Sequence, residues 1–85
     1  MTPDEIRAVV LAELAAIAPE ADPVSLRPAV SLRDQLDLDS MDVLNLMIAL
    51  HRRLGVEIPE ADYPKLASLN GCVSYLATAL SSPPR

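Results

Sequence analysis

The sequence predicts an all-α fold: a small four-helix bundle, with three longer helices, one short helix and a long ordered loop between the first two long ones. Three observations carry this. The chain has 85 residues, enough for one small domain. Its apolar half is almost all Ala, Leu, Val and Ile, with no Phe, no Trp and two Tyr, a helix-favouring mixture. Three segments show helical periodicity between start and stop signals, and no segment alternates as a strand would.

The first helix is expected over residues 3–18. Thr2 can cap it, Pro3 suits its first position, and Glu5 completes a capping box. Ile6, Val10, Leu14 and Ile17 then form one apolar face, and Pro19 ends the run. Residues 18–39 cannot be one helix, because Pro19, Pro23 and Pro28 interrupt them. A loop this long in a small domain is usually functional or pinned, and Val24, Leu26, Val30, Leu32 and Leu36 are the expected pins, with one helical turn in 31–35. The second long helix is expected over 40–54, stopped by Gly55, followed by an extended 56–58 and a short helical turn in 60–63. The last helix spans 69–80, capped by Ser68, with Leu69, Cys72, Val73, Leu76 and Leu80 as its buried stripe. Residues 1–81 are thus read as the domain and 82–85 as a flexible tail.

Bulk chemistry excludes several functions. Acidic residues outnumber basic ones 12 to 7, for a net charge of −5, which argues against a nucleic-acid partner. The near absence of aromatic residues removes the stacking platform that single strands need. The single cysteine, Cys72, excludes an intrachain disulfide and fits a reducing compartment. On an apolar helix face it reads as a small buried hydrophobe. No Cys/His cluster suggests a metal. The beginning, MTPDEIRAVV, lacks the basic start of a signal peptide, and no apolar run approaches a membrane span, so a soluble cytoplasmic protein is expected.

The helix at 40–54 carries two apolar stripes. Val43, Leu46, Met47, Leu50 and Leu54 share the core face. Met41, Leu44 and Ile48 form a second stripe, rotated away from the first. Either the long loop covers this second stripe or a partner does, and the partner reading is the stronger. Ser40 lies at the border of the stripes in the first turn. Asp39 is placed as N-cap, and Asp42 lies near the positive end of the helix dipole. Ser40 has no activator as a nucleophile. The one histidine, His51, lies eleven residues on, roughly 16 Å along the same helix, and the one lysine, Lys65, is in another segment. There is no G-x-S-x-G elbow. The chain is therefore read as a non-enzyme, and Ser40 as a residue that another protein modifies.

The stretch LDLDSMD, residues 36–42, resembles the L-G-x-D-S-L-D around the modified serine of the acyl carrier protein family. Leu54-Gly55-Val56-Glu57-Ile58-Pro59 is similar to the segment that follows the family's second helix, and Tyr75-Leu76 matches the last helix in kind and spacing. The resemblance spans nearly the whole chain. It implies that Ser40 Oγ attacks the pyrophosphate of coenzyme A on a phosphopantetheinyl transferase and keeps the 4′-phosphopantetheine as a phosphodiester. The arm's thiol then holds acyl groups as thioesters for fatty acid or polyketide biosynthesis. An acyl-loading ligase or synthase and downstream acyl-processing enzymes are the implied partners of a monomer. The implied partner surface is Met41, Leu44, Asn45, Ile48 and Arg52. The stripes beside Ser40 also offer a route for an acyl chain into the bundle.

Two features depart from the family. Asp37 stands where glycine is usual, which is expected to stiffen the loop and adds a fourth carboxylate to Asp34, Asp39 and Asp42. Where the family's helix tends to be acidic, this one has Asn45 and then His51-Arg52-Arg53. Those cations either complement the helix dipole or meet a partner's mixed or acidic patch. On either reading of these cations, the second departure points towards a specialised rather than housekeeping pathway. The Leu-Asp-Ser-Met core also resembles D-alanyl carriers, so an aminoacyl or peptidyl carrier is the alternative reading. A never-modified helical interaction module is disfavoured by the D-S-M-D context.

Overall fold

The computed structural model describes residues 1–81, so the tail expected at 82–85 lies outside the described residues. Four α-helices follow in chain order: α1 (Pro3–Ile17), α2 (Leu32–Gln35), α3 (Ser40–Leu54) and α4 (Leu69–Ser81). A 3-10 helix, Glu60–Leu66, precedes α4. Among the described residues there is no strand, and the one isolated bridge joins Ser31 to Ser68.

Helix α1 begins as its sequence dictates. Thr2 Oγ1 accepts the Glu5 N–H at 3.2 Å, and Glu5 Oε1 accepts the Thr2 N–H at 2.8 Å. Two of the orphan donors of the first turn are thereby satisfied. The helix packs on α3 and α4, and buries Ile6, Val10 and Leu14 against Leu46, Leu50, Leu69, Cys72 and Leu76 in one aliphatic core. Full burial of each such side chain contributes about 1.5–3 kcal/mol.

The long loop is pinned, but not by every residue expected. Leu32 is buried, and Leu26, Val30 and Leu36 are half-buried. Val24 is instead 92% exposed, because the turn at 22–25 closes on Asp22: its Oδ1 accepts the Val24 N–H, and its Oδ2 accepts the Ser25 hydroxyl. That turn points residue 24 outward. Polar bonds hold the rest. Gln35 spans the loop, accepting the Arg27 N–H at 2.9 Å and donating to the Arg27 and Val30 carbonyls at 2.8 and 3.0 Å. The Leu32 N–H donates to the Ala67 carbonyl, and the Asn70 N–H to that of Pro28, which ties the loop to the start of α4.

The helical turn expected at 60–63 extends to Leu66. Pro64 lacks an N–H but its fixed φ suits a 3-10 helix, so the segment tightens rather than ending. Ser68 caps α4 as expected, its Oγ accepting the Gly71 N–H at 3.0 Å. A Cβ at Gly71 would collide with the Lys65 carbonyl, so glycine permits this close approach of the 3-10 helix to α4. Leu69, Cys72 and Leu76 are buried and Val73 is half-buried, but Leu80 is 37% exposed. It lies one turn beyond Leu76, the last core residue of α4.

Candidate functional site

The chain reaches α3 through a tight reversal. Asp37 is the one non-glycine residue with positive φ among those described, at 54°. This left-handed conformation is where glycine is favoured and where Asp is better tolerated than most residues. Asp37 therefore supports the turn rather than merely stiffening it. The Leu38 N–H donates back to the Arg33 carbonyl at 2.9 Å, and the Leu38 side chain is buried.

Asp39 is the N-cap of α3. Its Oδ1 accepts the Asp42 N–H at 2.8 Å, and Asp42 Oδ2 accepts the Asp39 N–H at 3.2 Å. Asp42 thus closes a capping box, a role additional to its placement near the dipole. Ser40, the first helical residue, is exposed. Among the described residues its hydroxyl has no hydrogen-bond partner, and the N–H groups of Ser40 and Met41 have no acceptor. Free donors at a helix N-terminus suit an oxyanion. The site therefore fits a phosphodiester.

A cleft of about 550 Å³ opens beside Ser40, between α3, α2 and the 3-10 helix. Leu32, Leu38, Leu46, Met47 and Leu66 supply its buried lining, while Arg33, Ser40, Met41 and Glu60 lie at exposed positions. Leu44 also lines it. Asn45, Ile48 and Arg52 are not on the cleft, but continue down α3 as exposed residues. Among the described residues nothing fully covers the second stripe: Met41 is 61% exposed, and Leu44 and Ile48 are exposed to a lesser degree. The cleft walls Leu38 and Leu66 were missed in the sequence reading. Leu38 was signalled by its alternation with Leu36, and Leu66 only by the longer 3-10 helix.

Among the described residues neither His51 nor Lys65 reaches Ser40. His51 Nδ1 is 2.8 Å from the Val56 carbonyl at the other end of α3, and Lys65 pairs with Asp62 at 3.3 Å. Asp62 also accepts the Tyr75 hydroxyl at 2.7 Å, which holds its carboxyl below, and the phenol above, their ordinary ranges. The Cys72 thiol is buried, donates to the Leu66 carbonyl at 3.2 Å, and is pushed up to about 12 by burial. It is an unreactive core residue. Of the cations at the end of α3, Arg53 pairs with Glu13 on α1 at 2.9 Å. Arg52 makes no ion pair or side-chain hydrogen bond among the described residues. No helix among them is long and apolar enough to cross a membrane.

The family model for a phosphopantetheine attachment site matches residues 4–76. The acyl carrier protein of Campylobacter hominis is 34% identical over 73 residues, 86% of each chain. That of Campylobacter jejuni is 35% identical over 73 residues, 86% of this chain and 88% of that one. A solved structure of acyl carrier protein from Enterococcus faecalis superposes with a TM-score of 0.77 at 21% identity, covering 93% of this chain and 99% of that one. The chain belongs to the acyl carrier protein family, whose cofactor is a covalently attached 4′-phosphopantetheine.

Proposed function

We propose that Ser40 is the attachment residue and that the chain presents acyl groups to separate enzymes without itself catalysing their chemistry. The observation that carries this is the exposed, unbonded Ser40 hydroxyl beside two free N–H groups at the head of α3. The other serine on the cleft, Ser31, is occupied as a cap, accepting the Asp34 N–H at 3.3 Å. When bound, phosphopantetheine supplies a thiol that holds an acyl group as a thioester. The residues of this chain do the rest. Asp39 and Asp42 fix the first turn, the free N–H groups of Ser40 and Met41 would hold the phosphodiester, and the apolar lining of the cleft would receive the cargo. Tethering holds the acyl group at high effective concentration near a partner's site.

Met41, Leu44, Asn45, Ile48 and Arg52 form the docking face for the phosphopantetheinyl transferase, the acyl-loading ligase or synthase and later enzymes. Acidic residues crowd the Ser40 end of that face, and the unpaired Arg52 stands near its far end. A matching partner is basic near the serine and acidic at the distal end, which supports a dedicated pathway over a housekeeping one. An aminoacyl or peptidyl cargo would use the same serine, but the apolar cleft supports an acyl chain. Transfer of label from a fluorescent coenzyme A by a broad-specificity transferase tests the assignment. Wild type becomes fluorescent and Ser40→Ala stays dark; labelling of both would remove Ser40 from the role.

A further inference from the structure

We propose that Arg33 is a positioning residue for the arm, its guanidinium pairing with the phosphodiester anion on Ser40. The inference rests on Ser40 being the attachment residue. Arg33 and Ser40 are seven residues apart, yet both line the cleft. The left-handed Asp37 and the Leu38-to-Arg33 hydrogen bond turn the intervening chain so that Arg33 and Ser40 border the same cleft. Among the described residues Arg33 is the one cation lining this cleft, and Glu60 is the other charged residue there. Arg33 is exposed, and among the described residues its side chain has no ion pair or hydrogen bond. The attachment point also lies among Asp34, Asp37, Asp39 and Asp42. A phosphodiester added there brings a further negative charge into an acidic neighbourhood. A free guanidinium at the same cleft is the group that offsets it, and its planar donors suit phosphate oxygens. The Ser40 and Met41 N–H groups and the Arg33 guanidinium would together hold the phosphodiester at the mouth of the cleft.

The experiment compares apo and holo chains, made with coenzyme A and a transferase and verified by intact mass. The wild type, Arg33→Gln and Arg33→Lys are each followed by the arginine Nε–H resonances and by melting temperature. In the wild type, the Arg33 Nε–H resonance should shift on conversion to holo and the other arginines should not. The holo-minus-apo melting difference should be lower by roughly 2–4 °C in Arg33→Gln, and Arg33→Lys should recover most of that loss. An unmoved Arg33 resonance, with equal melting differences in all three chains, overturns the pairing while the attachment stands. A wild type that gains no mass overturns the attachment itself, and this proposal with it.

Discussion

Asp39 and Asp42 cap each other: each carboxylate accepts the other residue's backbone N–H, at 2.8 and 3.2 Å. This reciprocal pair holds both carboxylates flanking Ser40 against the backbone, and among the described residues neither bonds the serine hydroxyl. The two aspartates therefore build the platform rather than act on the serine.

Removing the cap should cost stability without altering the serine. Asp39→Ala should lose about 0.5–2 kcal/mol, whereas Asp39→Asn, an equally good N-cap, should lose little. Chemical denaturation of the two variants separates the roles. An Asn variant as unstable as the Ala variant would show that charge, not capping, is what matters.

The left-handed turn at Asp37 makes a second prediction. Asp37→Gly should melt at or above the wild type, since glycine meets no Cβ penalty at φ 54°. Asp37→Val should fall below Asp37→Gly by about 1–2 kcal/mol, some 4–8 °C per kcal/mol in a domain of this size. Equal melting temperatures for the Gly and Val variants would contradict the observed conformation.

Stability should also fall in alkali. Burial raises the Cys72 thiol from 9.0 to about 12. A group whose folded value is raised contributes stability fully below its unfolded value, and loses it as pH rises through the folded one. The loss therefore runs from pH 9 to 12, at up to about 1.4 kcal/mol per pH unit. Tyr75, also raised, adds to the alkaline limb, and the lowered Asp62 acts only below the ordinary carboxylate range. Urea titrations of wild type and Cys72→Ala across pH 8–11 should show a shallower slope in the variant. Parallel curves would mean that the thiol is not held neutral by the fold.

Arg52→Glu separates the two readings of the basic end of α3. Arg53 is tied to Glu13 and His51 to the Val56 carbonyl, so Arg52 is the cation available to a partner. If it meets an acidic patch, kcat/KM with the loading enzyme should drop roughly 3- to 10-fold and become less salt-dependent, with arm attachment unchanged. A helix-dipole role alone would instead show as a loss of about 0.3–1 kcal/mol in stability, with kinetics intact.

Much of this was legible because it is local. Thr2 with Glu5, Asp39 before Ser40, and Gly55 after Leu54 specify helix ends through nearest-neighbour hydrogen bonds and a left-handed stop. Long-range packing was less legible. Val24 and Leu80 are aliphatic like Leu32 and Leu76, and only the tertiary path of the chain, at Val24 the Asp22 turn, decides which of them is covered. Gln35 gave no signal, because an amide that bonds three backbone groups looks like any surface glutamine until the loop closes around it. The site divided in the same way. Ser40 and its cap were readable, while the cleft walls at Leu38 and Leu66 come from two segments that meet only in the fold.

The central claim is that one arm is attached, and at Ser40. Intact mass, followed by peptide mapping after incubation with coenzyme A, magnesium and a broad-specificity phosphopantetheinyl transferase, tests it most directly. A single added phosphopantetheine is expected on the peptide containing Ser40, and none on the Ser40→Ala chain. An unmodified wild type, or an arm mapped to another serine, would contradict it.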